Sequence, residues 1–350
     1  MTAALRTTVL AVARHSWAAK ATVGLALLAG FAVIPLVTTS FYTSLALNIL
    51  IFGLLAMSLD LMAGYTGMFS FGHAAYLGLG AYGIGYGEKR LLGPLSSVGF
   101  SFLVVLAVAL VFGLVAVRVS GLTFGIVTMS LSGILWGLAF RWVVVSGGDN
   151  GLSIPVRPTI GPFDLTDDMT FYYSVLVVLT VCSLLMMAIV HSPFGLSLRG
   201  IKENEQRMRT LGYSVGLHKY VVYVISAIFA GIAGMLFGLY SMYVDPSALD
   251  MNHNFLVVMM TVLGGLGTLW GSLIGAAVIV GSQQWLSYYF ARWAMVLGGV
   301  FVLTVLFARA GLFGTISIVL RRLVRWAEGD ADEGRAAVAS SALSPPASEE

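Results

Sequence analysis

The sequence predicts an all-α fold: a polytopic helical membrane protein of about ten transmembrane helices, some short and broken, with N- and C-termini in the cytoplasm. Three observations carry that reading. Hydrophobic residues make up 58% of the chain and charged residues 10%, too few to coat a soluble surface. Apolar runs of about 20 residues recur, the length that crosses hydrocarbon as a helix. The connections between them alternate in charge, basic on one side and acidic on the other.

Taken in order, segment 1–20 carries Arg6, Arg14 and Lys20 and no acidic residue, and reads as a cytoplasmic N-terminal segment. The run Ala21–Ser40 lacks a following small-x-small cleavage pattern, so it reads as an uncleaved first span rather than a signal peptide. It opens a transmembrane domain over 21–310, with spans at 21–39, 42–63, 70–87, 97–117, 121–143, 171–190, 219–243, 254–266, 268–288 and 292–309. Stretch 254–288 is too long for one straight helix. Its centre, Gly264-Gly-Leu-Gly-Thr-Leu-Trp-Gly271, suggests a tight hairpin of two short helices, a single broken helix being the alternative. Beyond the domain, Ile316, Val319, Leu320, Leu323 and Val324 share one helical face with Arg321, Arg322 and Arg325 around the other. That predicts an interfacial amphipathic helix over 311–326. The Ala-, Ser-, Pro- and Glu-rich tail 327–350 is expected to be disordered.

Loop charge sets the orientation. His191–Lys219 carries Arg199, Lys202, Arg207, Arg209 and Lys219 against Glu203 and Glu205. Loop 144–170 has Arg157 against Asp149, Asp164, Asp167 and Asp168, and loop 244–253 has Asp245 and Asp250. The basic loops fall on one side with an even number of spans; Lys89 and Arg90 are an exception. The single cysteine, Cys182, lies in an apolar run and cannot form an internal disulfide.

The insert 191–219 is the longest polar stretch inside the membrane domain. Ser192-Pro193 reads as N-cap and first helical position, followed by Phe194, Leu198 and Ile201 at helical spacing. A second helical run, Asn204–Leu211, stops at Gly212, which suits the left-handed turn past a helix end. The chain therefore presents one folded, positively biased helical loop to the cytoplasm, a docking element for a soluble partner.

Asp60-Leu-Met-Ala-Gly64-Tyr65-Thr66-Gly67-Met-Phe-Ser70-Phe-Gly72-His73 interrupts hydrophobic sequence with glycines and polar side chains. Such a break must be buried in protein or line a wet cavity. Asp60, Tyr65, Thr66, Ser70 and His73 are thus candidates for a translocation path. The competing reading is a plain cytoplasmic turn with His73 bonded to a neighbour and Asp60 paired or solvated near a span end. Gly64-x-x-Gly67 and Gly264-x-x-Gly267, 200 residues apart, also echo each other as an internal repeat would. Ser226, Ala230, Gly234 and Gly238 line one face of span 219–243, and Gly83 and Gly87 form a GxxxG, both expected as helix-packing seams. Gly147, Gly148, Asp149 and Asn150 form either a structured outer turn or a dock for an external partner.

Several chemistries are excluded. The four lysines follow Ala, Glu, Ile and His, so there is no Gly-Lys-Ser/Thr phosphate loop. No His-Glu-x-x-His, Cys-x-x-Cys or Gly-x-Ser-x-Gly occurs. A membrane enzyme is not indicated, and neither a cofactor nor a metal site is expected.

Several blocks in consistent order resemble the LivM-type permeases of branched-chain amino acid ABC transporters: AGYTGMFSFGHAAYLGLGAY from Ala63, GLTFGIVTMSLSGI from Gly121, SGGDNGLSIP from Ser146, SPFGLSLRGIKENEQRMRTLGY from Ser192, AGIAGMLFG from Ala230 and VLGGLGTLWGSLIGA from Val262. The resemblance covers about residues 40–315. It implies the transmembrane permease subunit of an importer in the inner membrane, moving branched-chain or related amino acids. The implied partners are a second homologous permease, two cytoplasmic ATPases that hydrolyse the ATP, and an external solute-binding protein, with no nucleic acid. The insert then corresponds to the ATPase-coupling loop, with Arg199, Lys202, Glu203, Asn204, Glu205, Arg207 and Gly212 as its residues. Arg207 and Arg209 stand where many relatives carry small or acidic residues, and Asp60 where relatives often carry Asn. Urea, amides and carboxylates are alternative solutes, and an ion-coupled transporter using Asp60 is the remoter alternative.

Overall fold

A computed structural model of the chain describes residues 24–307 and Gly311, apart from 91, 92, 156, 158, 161, 162, 290 and 291. The basic segment 1–20, the amphipathic helix expected over 311–326 and the tail 327–350 lie outside the described residues, Gly311 excepted.

The described residues are mostly helical. In order they form α1 (Gly24–Val37), α2 (Ser40–Thr66), α3 (His73–Arg90), α4 (Pro94–Ala116), α5 (Leu122–Arg141) and the single turn α6 (Val143–Ser146). There follow α7 (Asp168–His191), α8 (Pro193–Glu203), α9 (Glu205–Thr210), α10 (Val215–Ser241), α11 (Met251–Gly264), α12 (Trp270–Tyr289) and α13 (Trp293–Phe307). A helix stands at each stretch expected to span. By length and composition α2, α4, α5, α7 and α10 are long and apolar enough to cross a membrane, and α1 and α11 are shorter apolar helices.

α2 is the axis of the molecule. Its most apolar window is 89% buried, against 22% for α4 and 28% for α5. It is apolar on every side, as a helix surrounded by protein must be. α3, α7, α10, α11 and α12 pack around it, while α4 and α5 lie further out with apolar side chains such as Leu103, Val111 and Ile134 exposed. The expected seam is present: a Cβ on Gly234 would meet the backbone of Leu77, one on Gly80 the carbonyl of Gly231, and one on Gly238 the Cα of Ala81. α3 and α10 therefore touch backbone to backbone. Gly83 and Gly87 give the same close approach of α3 to Ser101 and Ser97 of α4.

Stretch 254–288 is the hairpin. A Cβ on Gly275 would meet the carbonyl of Met260, and one on Gly264 the backbone of Gly271 and Ser272, so α11 and α12 run back along each other. Only α11 is short, at 14 residues; α12 has 20. Two further adjustments concern boundaries. Gly64 was read as part of a turn, yet α2 continues through it to Thr66, and the break is Gly67–Gly72. α10 begins at Val215, so Lys219 lies within a helix instead of a loop. The fold also holds two short antiparallel ladders, β1 (Leu152–Ser153) with β4 (Tyr243–Val244), and β2 (Thr159–Ile160) with β3 (Phe163–Asp164). They satisfy backbone groups in the longer connections at the end opposite α8.

Candidate functional site

The α8–α9 insert is built as its residues dictate. Ser192 caps α8 by accepting from Gly195 N–H, and Pro193 stands at the first helical position. Leu198 and Ile201 are buried, and Ile201, Met208 and Val215 form a small cluster that folds α9 back onto α8. Asn204 caps α9 by accepting from Arg207 N–H at 2.9 Å. Past α9, Gly212 adopts φ +87°; its N–H reaches Arg209 O, and Tyr213 N–H reaches Met208 O at 3.1 Å. Those paired bonds are the Schellman closure that Gly212 anticipates.

The charges of the insert divide by task. Glu205 is tied within the chain, to Lys219 Nζ at 2.6 Å and Arg209 Nη2 at 2.7 Å. The bond from Lys219 is the main cause holding its carboxyl below the ordinary value. Lys219 itself is buried, so the pair anchors α9 to α10. Glu203, Asn204, Arg207 and Gly212 are exposed, beside exposed Leu196, Leu211 and Tyr213. The free face of the loop is thus mixed charged and apolar. Arg199 and Lys202 instead reach back to the end of α2: Lys202, although exposed, donates from Nζ to Gly64 O at 2.6 Å, and the Arg199 guanidinium lies 5.3 Å from the Tyr65 ring centre.

The candidate path residues gather at and just beyond the end of α2. Asp60 is fully buried and accepts two backbone N–H groups of the α11–α12 turn, Gly267 at 2.6 Å and Leu269 at 2.8 Å. Tyr65 OH donates to Gly267 O at 2.9 Å. Thr66 donates back to Met62 O, and Ser70 Oγ accepts from Gly72 N–H. His73 Nε2 lies 2.7 Å from Ser226 Oγ. The Ser226 hydroxyl donates onward to Ser58 O, so Nε2 carries the proton of the His73 bond. Nδ1 has no hydrogen-bond partner among the described residues. Asp60 and Tyr65 therefore meet at one place, whereas Ser70 and His73 belong to the neighbouring break.

The loop Ser146–Gly151 is a fixed turn. Gly147, Gly148 and Gly151 all have positive φ, between 61° and 77°. Ser146 Oγ accepts from Gly148 N–H, and Tyr243 OH donates to Asn150 O at 3.0 Å, pinning the turn to β4. Asp149 and Asn150 are exposed on it. Nearby, Arg157 joins the outer ends of α7 and α10, donating to Leu239 O and Asp168 with its guanidinium 4.3 Å from the Phe171 ring centre. Sequence reading placed Arg157 among loop charges only; no local pattern marks a contact made across 82 residues.

Comparison with known proteins fits this architecture. The family described as branched-chain amino acid transport system, permease component, matches residues 41–306. The chain is 26% identical to the high-affinity branched-chain amino acid transport system permease protein LivM of Salmonella typhimurium, covering 79% of this chain and 71% of that protein. It is likewise 26% identical to the LivM protein of Escherichia coli, over 75% of this chain and 68% of that one. A shorter match, 26% identical over 37% of this chain and 39% of the relative, is to the guanosine ABC transporter permease protein NupQ of Bacillus subtilis. No solved structure matches. With the family matching across most of the chain, the chain is a multi-pass inner-membrane protein and belongs to the branched-chain amino acid permease family of ABC transporters.

Proposed function

We propose that this chain forms half of the membrane channel of an ABC importer for branched-chain or related amino acids. It works beside a second homologous permease, two cytoplasmic ATPase subunits and an external solute-binding protein. α1–α5, α7 and α10–α13 are read as ten spans of the domain 21–310, with both termini cytoplasmic, segment 1–20 inside, 311–326 interfacial and 327–350 a tail. The observation that carries this reading is the α8–α9 loop. It is a rigid, double-capped helical pair, anchored from below by Leu198, Ile201 and Met208, whose free face offers Glu203, Asn204, Arg207, Leu196 and Leu211. An exposed mixed face on a fixed support suits a soluble partner, since leaving large apolar groups in water is unfavourable. ATP-driven closure of the ATPases then shifts the chain between two packings through their differential affinity for this loop.

In this reading Asp60, Tyr65, Thr66, Ser70 and His73 bound the path at its cytoplasmic end instead of ligating solute, because nearly all their polar atoms are engaged inside the chain. The same bonds count against Asp60 as an ion-coupling site. Gly147, Gly148, Asp149 and Asn150 present a fixed outer turn to the binding protein. The guanosine permease relative favours one second reading, a permease of this architecture serving a different polar solute.

The test is reconstitution of the chain with its genomic neighbours in vesicles. Uptake of leucine, isoleucine or valine that requires ATP, both ATPases and the binding protein is expected. Uphill transport without any nucleotide-hydrolysing subunit would overturn the proposal, and ATP-driven uptake of a nucleoside or amide alone would replace the solute.

A further inference from the structure

Asp60 departs from its surroundings: it is the only buried carboxylate among the described residues, in the most buried of the five long apolar helices found there. Its two oxygens accept from two separate backbone donors, Gly267 N–H and Leu269 N–H. An asparagine offers one acceptor oxygen, and its amide group would face the second N–H as donor to donor. The arrangement thus uses a carboxylate specifically. It also holds a turn with unusual backbone angles. Gly265 and Gly267 have φ +112° and +80°, and Leu269, a residue with a side chain, has φ +54°.

The same turn is gripped from a second point on α2. Tyr65 OH donates to Gly267 O, so both backbone polar groups of Gly267 are held by α2. Gly64 lies so close that a Cβ on it would meet Gly267 Cα at 2.7 Å. α8 also bears on Gly64 and Tyr65, with Lys202 on Gly64 O and Arg199 over the Tyr65 ring. α8 also leans on α10 through the Phe194–His218 stack, but that contact lies away from the turn. A continuous path therefore runs α8, end of α2, α11–α12 turn, through short polar bonds and backbone contact.

We propose that Asp60 is the positioning residue of a transmission joint: with Tyr65 and Gly64 it locks the α11–α12 turn to the end of α2, where Lys202 and Arg199 of α8 bear, so that displacement of α8 moves the α11–α12 hairpin. This rests on the reading of α8 as the ATPase-facing element. It gives the hairpin the role of a driven part and assigns Asp60 neither solute nor proton.

The experiment uses the full transporter in vesicles and reads solute moved per ATP hydrolysed. Asp60→Asn is expected to lower that ratio at least about fivefold, with partner association and solute-stimulated hydrolysis within about twofold of wild type. Lys202→Met is expected to act in the same direction, Lys202→Arg to restore part of the ratio, and Asp60→Asn with Lys202→Met to be no worse than Asp60→Asn alone, because both interrupt one path. A second readout is independent of transport. Amide exchange across 264–270 should change on nucleotide trapping in wild type and not in Asp60→Asn. A merely structural Asp60 would reduce yield, hydrolysis and uptake together at an unchanged ratio, and that result overturns the proposal. Should Asp60→Asn not assemble, Tyr65→Phe and Lys202→Met decide the matter, and an unchanged ratio in both refutes it. If wild type itself shows no ATP-driven uptake, the importer reading fails and this inference falls with it; normal wild-type coupling beside normal coupling in the variants sinks the joint alone.

Discussion

Replacing Gly234 with alanine tests whether α3 and α10 are set by backbone contact. A Cβ at Gly234 would meet the carbonyl carbon and Cα of Leu77 at 2.7 Å, atoms with no alternative rotamer to retreat into. Overpacking of that kind costs about 1–3 kcal/mol. Against it stands helix propensity, which favours alanine over glycine by about 1 kcal/mol. Gly216 on the same helix has open space around its Cβ direction and no positive φ, so only the favourable part applies there. Gly234→Ala should therefore lie below Gly216→Ala by about 1–3 kcal/mol, roughly 5- to 150-fold in the unfolding equilibrium. Reversible unfolding in mixed micelles, followed by tryptophan fluorescence, measures the difference. A wider α3–α10 spacing should also loosen the 2.7 Å contact of His73 with Ser226. Equal midpoints for the two variants would refute the close approach, since Gly216 is exposed in the first turn of α10 and meets no neighbouring backbone.

Glu205 supplies a pH prediction. Its carboxyl is held below the ordinary value of 4.5, chiefly by the Lys219 bond. The stabilisation is therefore fully present above 4.5 and is lost as pH falls through the depressed folded value. A spin label at Gln206→Cys should become more mobile over that acid range in the wild-type background and show no such transition with Glu205→Gln. Gly212→Ala forces an L-residue into φ +87° and should destabilise the α9 closure by about 1–2 kcal/mol, read as faster proteolysis between α9 and α10. Arg157 and Asp168 form an asymmetric pair, with side chains 11% and 84% exposed. Asp168→Asn should change stability by less than about 1 kcal/mol, because an exposed ion pair contributes little. Arg157→Ala also loses the Leu239 carbonyl bond and the Phe171 ring contact, and should lower stability by roughly 1–3 kcal/mol in the same unfolding assay.

What the sequence disclosed was what depends on neighbours along the chain. Apolar runs located the helices, because helix length in hydrocarbon is set by the chain itself. Ser192 and Pro193 located the start of α8 and Gly212 the end of α9, since caps are local chemistry, while Asn204, read as the first residue of the second run, is its cap. Gly234 and Gly238 announced a seam, though not its partner. The central place of α2 was hidden. α2 and α4 are both apolar on every side, and lipid and protein interior select the same residues. Division of labour within the insert was hidden too. Glu203 and Glu205 look alike in sequence, yet Glu205 is bound to buried Lys219 and Glu203 is free. Double replacement of the two would thus mix loss of docking with loss of the α9–α10 anchor, and Glu203→Ala alone is the cleaner probe of the docking face.

Gly64 and Gly267 belong to two stretches that echo each other in sequence and also meet in space. The pair of Gly-x-x-Gly stretches suggested two copies of one motif. Their matching positions share conformation: Gly64 and Gly264 each lie near the end of a helix, and Gly67 and Gly267 have φ +75° and +80°. A repeat would place matching glycines in matching conformations, as these stand. Gly64 and Gly267 are in addition in contact, because the backbone of the turn can approach α2 this closely only where Gly64 has no Cβ. Once that contact exists, Asp60 one turn earlier on α2 comes within reach of Gly267 and Leu269, and its burial has a cause. A carboxylate that looked like a charge in search of an ion is better accounted for as two acceptors matched to two amides.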